Sequence, residues 1–375
     1  MSGAGEYLLD GGRVDIASLP KVSLHDHLDG GLRPQTILEL ADEHGLALPE
    51  QTADALGEWF STQADSGSLP QYLETFALTT GVMQTAPALA RVAREFVQDL
   101  DADGVIYGEI RWAPEQHLER GLTLDEVVEA VQAGIDQGIE DAMRTSGREL
   151  RIGQLVTALR QNDRGVEIAE LALRHRGNGV VGFDIAGPEA GFLPSRMGEA
   201  FDLLAENWFP VTVHAGEAGD LDSISSALLD GRALRLGHGV RLALDISIEG
   251  EDDANTWVSL GRLAHWVKDR EIALELSPSS NLQTGAIEEW GDDLADHPFD
   301  LLYQLGFRVT VNTDNRLMSD TSLTKELSLL ADTFGYDLAD FEVFQLNAAA
   351  ATFQSVEDRE ELADRISAGF DEAGV

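Results

Sequence analysis

Two periodicities take turns along this chain. Short runs with apolar side chains at every second position, or filling the run outright, suit strands; longer runs with apolar residues three and four apart suit helices. The first strand pattern covers residues 21–27, where Val22 and Leu24 alternate with polar neighbours. From about residue 30 to 100 strand alternation lapses. Pro34 opens a helical pattern through His44, and Leu73, Phe76, Ala77, Met83, Leu89, Val92, Phe96 and Val97 follow near helical spacing. Beyond it come strand-like Val105–Trp112, Arg151–Leu159, Val180–Ile185, Pro210–His214, Leu234–Gly237, Ile272–Leu276 and Phe307–Asn312. Between them lie helix-like Leu124–Met143, Gly165–Arg174, Arg196–Glu206, Ser223–Leu229, Trp257–Lys268 and Leu301–Leu305. Thr324–Phe334, Leu338–Thr352 and Asp358–Phe370 read as closing helices.

Eight strands, each followed by helix, predict parallel strands with crossover helices, and that number favours a closed ring over an open sheet. The expectation is an α/β chain: one (β/α)8 TIM barrel over residues 1–375, with a helical insertion at about 30–100 after the first strand and extra C-terminal helices. Residues 1–12 and 371–375 read as loose tails, and the acidic stretches Glu249–Asp253 and Glu288–Asp296 as solvated loops.

Barrels of this kind carry their chemistry at the C-terminal ends of the strands. The first strand ends on His25 and His27, two apart and so aimed to one side. Val211–Val213 runs into His214 and Glu217, Leu234–Leu236 into His238, and Val309–Val311 into Asn312, Thr313, Asp314 and Asn315. Three histidines and an aspartate suit a zinc ion without thiolates, so His25, His27, His214 and Asp314 are the candidate ligands of one ion per chain. Taken singly, each residue has a plainer reading: His214 a buried hydrogen-bonded imidazole, Gly237-His238-Gly239 a tight turn, Asp314 a helix cap. His44, His117, His175, His265 and His297 fall in helix-like or loop-like contexts and read as surface or helix-terminal groups. Strand four, Val180–Gly187, holds no lysine to be carbamylated as a bridge between two metals, which favours a single ion.

Charge and composition narrow the partners. A net charge of −41 repels phosphate backbones, so nucleic acid is a poor partner. No apolar run is long enough to span a membrane, and the N-terminus has neither the basic nor the apolar part of a secretory signal. The chain has no cysteine, which excludes disulfides, thiolate zinc sites and cysteine nucleophiles. A cytoplasmic enzyme for a small molecule is the expectation; oligomeric state is not indicated.

Six motifs, in order, resemble the adenosine deaminase family of amidohydrolase barrels over residues 20–353: Pro20-Lys21-Val22-Ser23-Leu24-His25-Asp26-His27-Leu28-Asp29-Gly30; Val180–Gly187; His214-Ala215-Gly216-Glu217; Gly237-His238-Gly239; Ser277-Pro278-Ser279-Ser280-Asn281 with Thr284-Gly285; and Asn312-Thr313-Asp314. The resemblance implies zinc on His25, His27, His214 and Asp314, and hydrolytic deamination of adenosine and 2′-deoxyadenosine. It implies that Glu217 donates a proton to purine N1 and that His238 assists proton removal from the zinc water. It further implies a substrate pocket with His27, Asp29 at a ribose hydroxyl, the Gly187 backbone at N3 and Asn315 at N7.

Two positions depart from the family pattern. Asp26 stands between the two histidines where most members have a small apolar residue; it would face the helix layer, held by a partner there. Asn315 replaces a second aspartate, and a neutral amide can donate to N7 directly. Arg316, next along, would pair with acidic loops or meet a charged substituent on a larger nucleoside. The rival readings are a deaminase of adenine or of a 5′-extended adenosine such as aminodeoxyfutalosine, and a non-catalytic purine-binding barrel.

Overall fold

The computed structural model describes residues 7–9, 12–252 and 256–374. Eight parallel strands form its centre: β1 (Lys21–His27), β2 (Val105–Trp112), β3 (Arg151–Leu159), β4 (Val180–Ala186), β5 (Thr212–Ala215), β6 (Arg235–His238), β7 (Ala273–Leu276) and β8 (Val309–Val311). β1 to β4 pair in sequence order, as do β5 to β8. Parallel bridges join the two sets at both seams, Phe183 to Val211 and Asp26 to Asp314. The result is a (β/α)8 barrel. Every residue of β1 and β2 is buried, as expected for strands covered by helices outside and packed side chains within.

The insertion after β1 is helical: α1 (Pro34–His44), α2 (Ala53–Ala64), α3 (Leu69–Glu74), α4 (Phe76–Val82) and α5 (Ala86–Ala102). The Thr52 and Thr85 hydroxyls cap α2 and α5 by accepting the amides of Ala55 and Ala88. α6 (Leu124–Thr145) opens on a Thr123–Glu126 capping box and lies tightly on α5. Gly134 permits that approach, because a Cβ there would collide with the Ala90 carbonyl oxygen. The remaining helices are α7 (Gly165–Arg174), α8 (Gly198–Glu206), α9 (Leu221–Leu229), α10 (Arg262–Asp269), α11 (Pro278–Gln283), α12 (Phe299–Gln304), α13 (Leu323–Phe334), α14 (Leu338–Ala351) and α15 (Val356–Ala373). α14 packs on β1 and β8, and α15 on α14.

Three expectations change. Thr256–Leu260 is a strand, not the start of a helix; it pairs antiparallel with Ile246–Glu251, which also takes residues 249–251 out of a loop. α10 begins at Arg262 because Asp245 accepts the amides of Leu263 and Ala264 and so caps it from a distance. Leu8–Leu9 pairs with Val14–Asp15, and α15 with buried Phe370 continues to Ala373, so both supposed tails carry structure. Residues 1–6, 10–11, 253–255 and 375, which include parts of the two tails and of the first acidic stretch, lie outside the described residues. Among the described residues no helix is long and apolar enough to cross a membrane.

Candidate active site

The C-terminal ends of β1, β5, β6 and β8 deliver the strand-end residues to one buried space. Ligating atoms of His25, His27 and His214 lie within 4.8 Å of one another, as do those of His25, His238 and Asp314. The Asp314 Oδ1 atom is 3.4 Å from His25 Nε2 and 3.3 Å from His27 Nε2. His27 Nε2 and His214 Nε2 face each other at 3.2 Å.

A second layer decides which nitrogens carry protons. His25 Nδ1 lies 3.0 Å from Glu275 Oε2, and His214 Nδ1 lies 2.9 Å from Asp184 Oδ2. A carboxylate only accepts, so both Nδ1 atoms donate and both Nε2 atoms present lone pairs to the shared space. Burial holds His214 down at about 4, which keeps it neutral. Among the described residues His25 Nε2 has no hydrogen-bond partner. Converging lone pairs beside a carboxylate, with nothing between them to donate, form a donor set suited to a borderline divalent cation.

Arg111 of β2 holds this layer together. It donates to Glu275 at 2.6 Å, meets Asp184 at 3.2 Å and donates to the Leu24 carbonyl at 2.7 Å. Burial works against ionisation of Asp184, but the His214 imidazole and Arg111 outweigh it and hold that carboxyl at about 2. Burial likewise opposes charge on Glu275, yet Arg111 and Arg235 keep it well below the usual carboxylate range.

Glu217 is buried three residues past His214. Burial first, then the charges of Asp314 and Glu189, push its carboxyl well above the usual range. Glu189 shapes the loop that carries it, accepting the backbone amides of Gly216, Glu217, Ala218 and Gly219 at 2.7–3.1 Å. Gly216 makes the turn at φ +72°, where a side chain would also strike Ile224. His238 Nε2 stands 3.6 Å from Glu217 Oε2. The cavity is lined by His27, Ala186, Gly187, His214, Glu217, His238, Asp314 and Asn315, and roofed by Leu69, Tyr72, Leu73 and Phe76 of α3 and α4. Asp29 lies beside it, buried, with Oδ1 3.7 Å from His27 Nδ1.

All nine residues singled out from the sequence thus gather at one end of the barrel, Asn315 with its amide 2.7 Å from Asp314 Oδ1. Asp26 faces away, as expected, and is held 2.9 Å from Arg316. Arg316 meets neither an acidic loop nor the cavity. Its guanidinium lies over the Phe96 ring, 4.0 Å from the centroid, with Asp99 of α5 at 3.8 Å. His117, His175 and His297 each close a helix, as the helix-terminal reading has it, but they are buried rather than superficial, each tied to a partner from elsewhere in the chain: the Met83 carbonyl, Asp125 and Asn281. Asp184, Glu275, Arg111 and Glu189 were missed in the sequence, although Asp184 and Asn281 lie inside motifs quoted there.

A parallel barrel with a histidine–carboxylate cluster at the C-terminal ends of its strands defines the amidohydrolase-fold class. That fold is shared by an amidohydrolase from Burkholderia ambifaria, solved with zinc bound, at a TM-score of 0.80 and 21% identity, with 99% of this chain and 98% of that one covered. An N6-mAMP deaminase from Arabidopsis is similar at a TM-score of 0.77 and 26% identity, covering 94% and 99% of the two chains. An adenosine deaminase from Streptomyces coelicolor is 56% identical over 92% of this chain and 85% of its own. A family model described as adenosine deaminase matches residues 20–369, and the chain belongs to the adenosine deaminase family.

Proposed function

We propose that this protein hydrolyses adenosine and 2′-deoxyadenosine to inosine and 2′-deoxyinosine, water entering at C6 and ammonia leaving. In this reading His25, His27, His214 and Asp314 hold one zinc ion per chain, which supplies a nucleophile at neutral pH by lowering the pKa of bound water to about 7. Attack at C6 breaks the aromaticity of the ring and moves an electron pair to N1. Glu217, kept protonated by burial, donates to N1 as that pair arrives. The Gly187 amide and Asn315 orient the base, and His27 and Asp29 take the ribose hydroxyls.

The observation that carries the reading is a buried carboxylic acid facing the imidazole–carboxylate cluster across one cavity. The motif resemblance and the 56% identical adenosine deaminase point the same way. Arg316 is engaged by Asp26 and Asp99, and among the described residues no lysine or arginine lines the cavity, which argues against a phosphate-bearing substrate. A cytoplasmic setting belongs to the same reading, with cell fractionation as its test.

Loss of the adenosine absorbance band on mixing tests the activity, with metal content measured on the same sample. Chelation is expected to abolish turnover and added zinc to restore it. Adenine, a 5′-extended adenosine and AMP belong in the same panel. Faster turnover of any of them than of adenosine would overturn the substrate assignment.

A further inference from the structure

Behind His238, away from the cavity, a line of hydrogen bonds runs to the start of α12. The Phe299 backbone amide lies 3.0 Å from His297 Nδ1. His297 Nε2 lies 3.2 Å from Asn281 Oδ1, and Asn281 Nδ2 lies 3.0 Å from His238 Nδ1. All three side chains are buried.

The direction of this line is set at its far end. A backbone amide can only donate, so His297 Nδ1 must accept. Burial holds His297 down at about 3, so the ring is neutral and its one proton sits on Nε2. That proton goes to an acceptor, which turns the Asn281 carbonyl toward His297 and its amide group toward His238. Asn281 then donates, and His238 Nδ1 accepts. The orientation of an amide side chain is an assignment in most structures, but here each group in turn leaves the next no choice.

We propose that Asn281 and His297 are positioning residues that lock His238 in the Nε2–H form, making it a hydrogen-bond donor toward the reacting centre. His238 Nε2 is buried and, among the described residues, has no hydrogen-bond partner. His238 lines the cavity with Nε2 3.6 Å from Glu217 Oε2, so in the deaminase reading its N–H faces the oxygen that approaches C6. In this form neutral His238 has no lone pair on that side with which to remove a proton. It holds the attacking oxygen by one of its lone pairs and stabilises the negative charge there. The expectation that His238 assists proton removal is replaced by one-way donation, imposed from more than forty residues away in sequence.

The consequence for rate rests on the deaminase reading; the tautomer does not. Nitrogen-15 shifts of the imidazoles distinguish Nδ1–H from Nε2–H, and comparison with a His238→Gln sample assigns the signal. In zinc-loaded wild-type protein the His238 proton is expected on Nε2. A proton on Nδ1, or on both nitrogens, overturns the proposal whatever the variants do. Asn281→Asp is nearly isosteric and only accepts, so it should pull the proton to Nδ1 and lower kcat on adenosine by about 10²-fold with KM little changed. His297→Gln keeps a donor toward Asn281 and should retain both the tautomer and the rate. An Asn281→Asp enzyme with wild-type tautomer and kcat overturns the proposal. If that variant does not fold, His297→Phe frees the Asn281 amide to turn over; a mixed tautomer and partial loss of kcat support the lock, and an unmixed Nε2–H signal with full rate overturns it. Wild-type protein inert toward adenosine removes the deaminase reading alone, because the spectra still decide the direction of the chain.

Discussion

Glu275→Gln tests whether the layer behind the imidazoles governs both stability and metal binding. The wild-type carboxylate accepts from four donors. Oε2 takes His25 Nδ1 at 3.0 Å and Arg111 at 2.6 Å. Oε1 takes Thr212 Oγ1 at 3.1 Å and the Nε of Arg235. An amide keeps one accepting end. If its nitrogen faces His25 and Arg111, two charge-assisted bonds become donor–donor clashes, worth ~1.5–3 kcal/mol each. If it turns round, Thr212 can rotate to accept but the Arg235 bond is lost. The expected cost is therefore about 2–6 kcal/mol, a large share of the ~5–15 kcal/mol that holds a protein folded. In either orientation His25 loses its carboxylate partner, to a donor in the first and to a neutral amide oxygen in the second, so affinity for zinc should fall about 10–100-fold. Urea unfolding of the metal-free protein gives the first quantity, and competition against a chromogenic chelator the second. A loss under about 1 kcal/mol together with wild-type zinc affinity would refute the reasoning, because net bonds of that size are what neutral partners provide.

Three other perturbations bear on separate parts of the site. Glu217→Gln should lower kcat by about 10²–10⁴-fold, and wild-type kcat should fall on the alkaline side as pH climbs through the raised Glu217 pKa and the acid form disappears; an active variant, or a rate that rises there, removes its role as the acid. His297 has a folded-state pKa of about 3 against an ordinary 6.5, so the unfolded chain binds the extra proton first and stability is lost as pH falls below 6.5; by pH 4.5 this is on the order of 3 kcal/mol, and urea titrations of His297→Gln at pH 7 and 4.5 should show clearly less acid sensitivity than wild type. Asp26→Ala leaves the Arg316 guanidinium with only Asp99, at 3.8 Å, as a carboxylate partner and should cost about 1.5–3 kcal/mol in thermal or urea unfolding, part of it regained on adding Arg316→Met; simple additivity of the two changes would show that the pair is not coupled.

The strand-end residues were legible because their signal is local. An apolar run that stops on a histidine or aspartate places that side chain at a strand end from a few neighbouring letters, and His25, His27, His214, His238 and Asp314 all arrived that way. Asp184, Glu275 and Arg111 carry no such mark. Each interrupts an apolar strand as a charge, which in isolation reads as a side chain turned to water. Only closure of the barrel brings them together, Arg111 reaching across 73 positions to Asp184 and 164 to Glu275. The same holds for His117 and His297, whose partners come from other elements. Trp257–Leu260 failed for a different reason. Over four or five residues the spacings that mark a helix and a strand overlap, and what separates them here is Asp245, which caps α10 from outside the window.

Backbone conformation ties the legible residues to the hidden ones. His238 at φ +59° and Asp314 at φ +57° adopt the left-handed region, which costs a residue with a side chain about 1–2 kcal/mol. Glycine would relieve that cost at either place. Trp208, Arg232, Glu271 and Asp320 share the conformation, but the first three sit just before β5, β6 and β7, at the end of the barrel away from the cavity, and Asp320 is exposed in the loop before α13. His238 and Asp314 sit at the opposite end, and they are buried. Asp314 is pinned on both sides of its peptide: its amide donates to the His25 carbonyl at 2.9 Å, and its carbonyl accepts the His27 amide at 3.0 Å. The Gly239 amide donates to the Ala215 carbonyl at 3.0 Å and fixes the turn after His238 in the same manner. Neighbouring strands thus hold two unfavourable backbone turns whose effect is to swing an imidazole and a carboxylate back over the barrel mouth. A fold that needed only to be stable would place glycine at both positions; in the proposed function, the strain kept where these two side chains enter the cavity serves the chemistry.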